Sequence, residues 1–393
     1  MIPLALIFSQ CIQSKKQQDP RGPAYTGSAS CVGCHRDIYN NSLHTAHFMA
    51  SQPPADESIE GSFNKGSNQF VFNPTEEVVM QKLDSGFYQT LYADGNPARF
   101  GRFDIVFGGV KGQTYAYWLS NVLYQLPIST ENGHWVNSPG YSDMSADFDR
   151  MIGTKCLGCH MSYMKQEAPV RQRSGVSAEG FDKSSAVYSI DCERCHGPGA
   201  EHVKFQTANP AIKEARYITK FQSLTRVQKI NMCAVCHSGA SNHLIKPTFV
   251  YKPGDTLANY LKIVSTNGAA NFKEIDVHGN QTALLESSKC FVGSNMDCST
   301  CHDTHVNDRD KPMIYTLKCM SCHNSDTHNQ CKLVNTLSIN ILKANCIACH
   351  MPALPSKVIV VKQAGAMVHT HHIAIYPDET KKILASLTTV AQK

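Results

Sequence analysis

Seven stretches of this chain place two cysteines and a histidine in the order C-x-x-C-H, at Cys31–His35, Cys156–His160, Cys192–His196, Cys233–His237, Cys298–His302, Cys319–His323 and Cys346–His350. They use 14 of the 17 cysteines. At this cysteine and histidine content, chance would give far less than one copy, so the pattern carries chemistry. Two thiols three positions apart reach the two vinyl groups on one edge of a porphyrin and form thioethers. The adjoining imidazole then meets the iron. The covalent attachment points are thus Cys31, Cys34, Cys156, Cys159, Cys192, Cys195, Cys233, Cys236, Cys298, Cys301, Cys319, Cys322, Cys346 and Cys349. The proximal iron ligands are His35, His160, His196, His237, His302, His323 and His350. Seven covalently bound c-type haems are implied. The two residues between the cysteines differ in every copy, so the constraint lies on the sulfurs and the imidazole.

Zinc is the main rival. Cys298-x2-Cys301 and Cys319-x2-Cys322, 17 residues apart, fit a zinc-ribbon spacing. A ribbon has no use for a histidine directly after each cysteine pair, and all seven pairs carry one. Structural disulfides explain the pairs worse still, because adjacent C-x-x-C thiols make poor staples and a chain of 393 residues needs none.

Eleven histidines lie outside the motifs. Those following a motif closely are the first candidates for the distal iron position: His202 in CHGPGAEH, His305 in CHDTH and His44 in SLHTAH. A second group holds His278 in DVHGNQ, His328 in CHNSDTH and His371 in VHTHHIA. His47, His134, His243, His369 and His372 come behind them. The alternative for any one is a solvent-facing or propionate-bonding imidazole. Cys290 and Cys331 remain over, as a disulfide or as two free thiols.

The elements that position these groups divide the chain into four parts. Residues 1–30 read as signal or lipoprotein anchor and linker, residues 31–50 as the first haem segment, residues 51–155 as a haem-free insert, and residues 156–393 as a six-haem cytochrome domain with a histidine-bearing tail. The insert holds FVFN, VVMQKL, FYQTLYADGN and QTYAYWL, short runs rich in Val, Phe and Tyr, broken by Asp94-Gly95 and Gly108-Gly109. That pattern predicts antiparallel strands. It serves either as a cover over a haem face or as a docking or substrate-gating module. From residue 156 on, motifs recur at intervals of 36, 41, 65, 21 and 27 residues, on short helices such as LTRVQKINMCAVCH. The expected fold class is mainly α, with extensive loops organised around the haems, plus the antiparallel β-rich insert.

The formal charge of +5 falls toward neutral or mildly acidic once haem propionates are counted. No run of like charge or interleaved aromatic and basic residues points to nucleic acid. Thioether attachment takes place outside the cytoplasm, so export is expected. The opening MIPLALIFSQC has an apolar run ending at Cys11 but no basic start. Cys11 is then either a lipidated N-terminal cysteine or the end of a truncated signal. No later stretch reaches the length of a spanning helix.

These motifs resemble those of multihaem c-type cytochromes. More narrowly, they are similar to the group containing the tetrahaem electron carrier that partners hydroxylamine oxidoreductase. The likeness rests on CVGCHRDIYNNSLHTAH, CERCHGPGAEH, CSTCHDTH, CMSCHNSDTH and CIACHMP with the late HTHHI, and covers residues 31–50 and 156–375. It implies closely packed, mostly bis-His haems and an exported electron-transfer protein, periplasmic or lipid-anchored to the membrane, facing the periplasm or cell surface. Its partners would be redox proteins, either a membrane quinol dehydrogenase or other periplasmic cytochromes. The alternative is a multihaem oxidoreductase acting on a small nitrogen or sulfur compound at one open iron. Against one form of it, the C-x-x-C-K that marks the catalytic haem of pentahaem nitrite reductases is missing here. Motif two, with no histidine close behind His160, is the first place to look for an open position.

Overall fold

The computed structural model describes residues 18–173, 175–263, 274–327, 330–361 and 364–390. Cys11 and His328 lie outside the described residues.

Ten strands occupy the stretch between Ser51 and Asn137. Strands β1 (Ser51–Gln52), β6 (Ile105–Gly108), β7 (Gly112–Leu119), β9 (Ile128–Glu131) and β10 (His134–Asn137) form one antiparallel sheet in that order, with β8 (Val122–Gln125) also paired to β7. Strands β2 (Gln69–Asn73), β3 (Glu76–Leu83), β4 (Gly86–Ala93) and β5 (Asn96–Arg102) form a second, simple meander. Turn chemistry sets its register. Asp94 and Gly95 both have positive φ, 49° and 75°, as the tight turn between β4 and β5 requires. Alternate side chains of the sheets meet in an aromatic core around Phe103, Tyr115 and Trp135, where the Phe103 and Tyr115 rings stack at 4.4 Å.

A second buried cluster joins the sheet to the haem-motif half. Ile105, Phe107, Ala116 and Leu123 pack with Leu157, Met161, Met164, Phe181 and Phe249. The chain also ties itself there by hydrogen bonds, from the Ser189 amide to Ser51 Oγ at 2.9 Å and from the Ile190 amide to the His47 carbonyl at 2.9 Å. The sheet therefore backs onto the second motif.

The motifs ride on short helices: α1 (Val32–Ser42), α2 (Thr154–His160), α3 (Cys192–His196), the C-terminal end of α5 (Arg226–His237), a single 3-10 turn at Cys298–Thr300, the end of α8 (Pro312–Met320), and the C-terminal end of α9 (Ile339–His350). On a helix, residues three and four apart share a face, so one turn suffices to present two sulfurs and an imidazole together. Between these lie α4 (Ala200–Ala208), α6 (Gln281–Glu286) and α7 (Lys289–Val292), and α10 (Pro377–Val390) follows α9.

The fold is not mainly α. It is 31% helix and 26% strand. Two causes act together. The motif helices stop after one to three turns, because nothing beyond the motif needs them. In addition, the half after residue 156 contains antiparallel hairpins, β11 (Tyr163–Arg171) with β12 (Ser177–Val187) and β15 (Ala353–Val361) with β16 (Ala364–His369), besides the short pair β13 (His243–Leu244) and β14 (Leu261–Lys262). KVIVV, β-branched at four of five positions, suits a pleated surface better than a helix.

Candidate functional site

The helices that carry the motifs are capped by local chemistry. Thr225 accepts from the Gln228 amide while Gln228 accepts from the Thr225 amide at 2.9 Å, a reciprocal cap that starts α5. Asp191 Oδ1 caps α3 by accepting from the Arg194 amide at 2.9 Å. Glu179 accepts from the Thr154 amide at the start of α2.

The third motif is anchored to the segment before the first by a buried charge cluster. Arg21, 4% exposed, pairs with Asp19 at 2.9 Å, Asp191 at 2.9 Å and Glu193 at 2.8 Å. Glu193, inside the motif, also accepts from the amides of Thr26, Gly27 and Gly199. Burial alone would lower the Arg21 guanidinium, but the hydrogen bond to Asp19 and the charges of Asp191 and Glu193 hold it above its ordinary value. Arg194, two residues before His196, donates to the Gly158 carbonyl of motif two at 3.1 Å. Its buried Nε has no protein partner, which leaves a donor suited to an anionic group.

Imidazoles from distant parts of the chain face each other across these motifs. The rings of His35 and His202 are 6.4 Å apart and nearly parallel, at 18°. His196 and His305 are 5.9 Å apart at 21°, and His302 and His371 are 6.1 Å apart at 26°. His47 and His237 are 6.1 Å apart with perpendicular planes, at 81°. An imidazole nitrogen binds a first-row metal at about 2 Å and the ring centre lies about 1 Å farther out, so two imidazoles on opposite sides of one ion put their centres about 6 Å apart. All four pairs fit one metal ion between them.

Hydrogen bonds fix which nitrogen points where. Nδ1 of His202 is 2.8 Å from the Arg216 carbonyl, Nδ1 of His350 is 2.9 Å from the Ala374 carbonyl, and Nδ1 of His196 is 3.4 Å from the Thr219 carbonyl. Nδ1 of His237 lies 3.2 Å from Gln281 Oε1 on α6. Each leaves Nε2 as the nitrogen with a free lone pair. Burial, reinforced by neighbouring imidazoles, lowers His47 to about 4 and His371 to about 4, so both present neutral rings at neutral pH. Burial also lowers His160, His196 and His302.

The cysteines link one motif to the next. The thiols of Cys31 and Cys192 are hydrogen-bonded, as are those of Cys159 and Cys236, and of Cys233 and Cys298. Cys195 lies within electrostatic reach of Cys236, Cys319 of Cys301, and Cys319 of Cys346. The contacts run through motifs one, three, four, five, six and seven in that order, with motif two joined at motif four.

The remaining candidates scatter. His44 is exposed past the end of α1, and its imidazole has no ring or hydrogen-bond partner among the described residues. His278 lies within electrostatic reach of His160 and His237. His134 and His243 are exposed on β10 and β13. His369 Nδ1 meets the Met351 carbonyl at 2.6 Å, and His372 Nδ1 meets Ser287 Oγ at 2.8 Å. Cys290 and Cys331 are both free. Cys290 sits near Cys301, Cys319 and Cys322, whereas Cys331 sits near Cys346 and Cys349.

Sequence spacing ranked His47 below His44, its neighbour three residues away. The signal that separates them is burial of the segment after α1, where Thr45 is buried and the His47 carbonyl accepts from Ile190.

Residues 131–197 match the family model described as cytochrome c554 and c-prime. The matched stretch contains motifs two and three. The crystal structure of outer cell wall cytochrome OcwA superposes with a TM-score of 0.55 at 17% identity, over 92% of this chain and 82% of that one. At that identity the likeness speaks for the fold. No curated protein matches the chain. With C-x-x-C-H motifs that touch one another through a shared interior, the chain is similar to multihaem c-type cytochromes in fold and, over residues 131–197, in sequence.

Proposed function

We propose that the chain carries seven c-type haems, one per motif, and moves electrons along them between redox partner proteins outside the cytoplasm. The observation that supports this most is the coincidence of two patterns. Four imidazole pairs stand at one-ion spacing, and the same motifs are joined in series by their cysteines. When bound, haem supplies reversible one-electron chemistry. The chain's own part is to fix the order and to close the irons. His202, His47, His305 and His371 take the distal positions opposite His35, His237, His196 and His302. His278 is the candidate for His160. Cys31 and Cys192, Cys159 and Cys236, and Cys233 and Cys298 hold neighbouring sites in contact. The narrower kinship to the tetrahaem carrier of the hydroxylamine oxidoreductase group belongs to the same reading. So do lipidation at Cys11 and partners such as a membrane quinol dehydrogenase or other periplasmic cytochromes.

A second reading is favoured by one observation at motif two. The ring that packs on His160 is that of Phe107, edge to face at 5.8 Å. If His278 stays off the iron, motif two has an open position beside an apolar wall, and the chain is an oxidoreductase for a small nitrogen or sulfur compound. Electron paramagnetic resonance of the oxidised protein, with carbon monoxide titration of the reduced protein, separates the two. The carrier reading predicts a low-spin ferric signal from motif two and no carbon monoxide uptake there. A high-spin iron and a carbon monoxide site that both disappear when Cys156 and Cys159 are replaced by serine would replace it by the second.

A further inference from the structure

The ligand candidates described above anchor their rings on neutral oxygens: carbonyls at His202, His196 and His350, and an amide oxygen at His237. His305 differs. Its Nδ1 is 3.1 Å from Asp303 Oδ1, and the same oxygen accepts from the His305 amide at 2.9 Å. Two bonds from one residue to one carboxylate oxygen hold the ring against rotation. The ring centre of His196 is 5.9 Å away, with the two planes at 21°.

We infer that Asp303 is a positioning residue that lowers the reduction potential of the haem at motif three. The inference rests on the bis-His reading of His196 and His305. A carboxylate that accepts from Nδ1 makes the imidazole a stronger donor through Nε2. A stronger donor favours ferric over ferrous iron, since the oxidised centre carries one more positive charge. A carbonyl does the same more weakly, because it carries no net charge. Asp303 also comes directly after His302, the proximal ligand of motif five, so one short segment serves two neighbouring irons. By the cysteine contacts, motif three lies between motif one and motif four. A lowered potential there sets an uphill step between the first motif and the rest of the series, without altering any covalent attachment.

The test is a spectroelectrochemical titration of the full haem-loaded protein and of Asp303→Asn, which keeps an acceptor oxygen but removes the charge. One midpoint is expected to rise by about tenfold in its equilibrium constant, which is 59 mV for a one-electron couple, while the others stay in place. Glu201→Gln, an exposed carboxylate on α4, serves as the control and is expected to move none. Unchanged midpoints in Asp303→Asn would overturn the inference. His305→Ala keeps this distinct from the ligand assignment. If it turns one haem high-spin while Asp303→Asn moves no midpoint, the ligation stands and the tuning fails. If it leaves every haem low-spin, the ligation itself fails.

Discussion

Arg21 offers the sharpest perturbation outside the C-x-x-C-H motifs and the paired histidines. Its guanidinium is 4% exposed and lies within 2.9 Å of three carboxylates, which are themselves 9%, 6% and 2% exposed. Replacing it by methionine keeps most of the volume but strands Asp19, Asp191 and Glu193 together without a cation. Breaking a buried pair by removing one partner costs about 3–5 kcal/mol. Here three anions lose one partner, so the upper part of that range applies. The loss falls on the contact between residues 19–30 and motif three, because Glu193 also accepts from Thr26 and Gly27, and the Ala200 amide donates to the Ala24 carbonyl. At 1.36 kcal/mol per factor of ten, local opening of this contact should rise about 10³- to 10⁴-fold. Hydrogen exchange read by mass spectrometry on peptides covering residues 22–30 and 193–203 measures that opening directly. Arg21→Lys should recover part of the protection, since an ammonium keeps the charge but cannot fork to several carboxylates. Exchange in Arg21→Met within threefold of the parent protein would refute the claim that this cluster fastens the segment.

His47→Ala should convert one haem to a high-spin form that takes up one carbon monoxide when reduced, whereas His44→Ala should leave the spectrum unchanged; equal effects from both would undo the pairing with His237. Leu157, fully buried between the sheet and α2, should cost about 2–5 kcal/mol on truncation to alanine, read as a lower thermal midpoint, and a shift smaller than 1 °C would show that the sheet does not support motif two. Thr225→Ala removes the reciprocal cap of α5 and should cost about 1 kcal/mol, seen as faster exchange in its first turn, with protection unchanged if the cap contributes nothing.

The attachment chemistry was legible in the sequence because it is local. Two sulfurs and an imidazole within five residues need only one helical turn, and C-x-x-C-H states that turn outright. Closeness in sequence singles out His202 and His305, each a few residues after a motif, although the ring each faces belongs to a different motif. His47 could not be found this way. It faces His237 from the other end of the chain, and only the tertiary path after α1, pinned by Ile190 and β1, decides that His47 and not His44 turns inward. The class of fold was misread where spacing between motifs was taken as room for helices. The stretches YMKQEAPVR and ALPSKVIVV fill that room as hairpin strands, and in the second the β-branched run KVIVV suits a pleated face. In the β block, Asp94-Gly95 marked its turn because positive φ leaves few residues to choose from. The sheet's contact with motif two through Phe107 and Leu157 had no such local mark.

Electron transfer along the motifs requires porphyrin to be covalently present at every C-x-x-C-H. Intact-mass spectrometry of denatured protein from a cytochrome-maturing host tests this directly. A single species heavier than the polypeptide by seven haems is expected, falling to six when Cys156 and Cys159 are both replaced by serine. A mass equal to the bare polypeptide would contradict it.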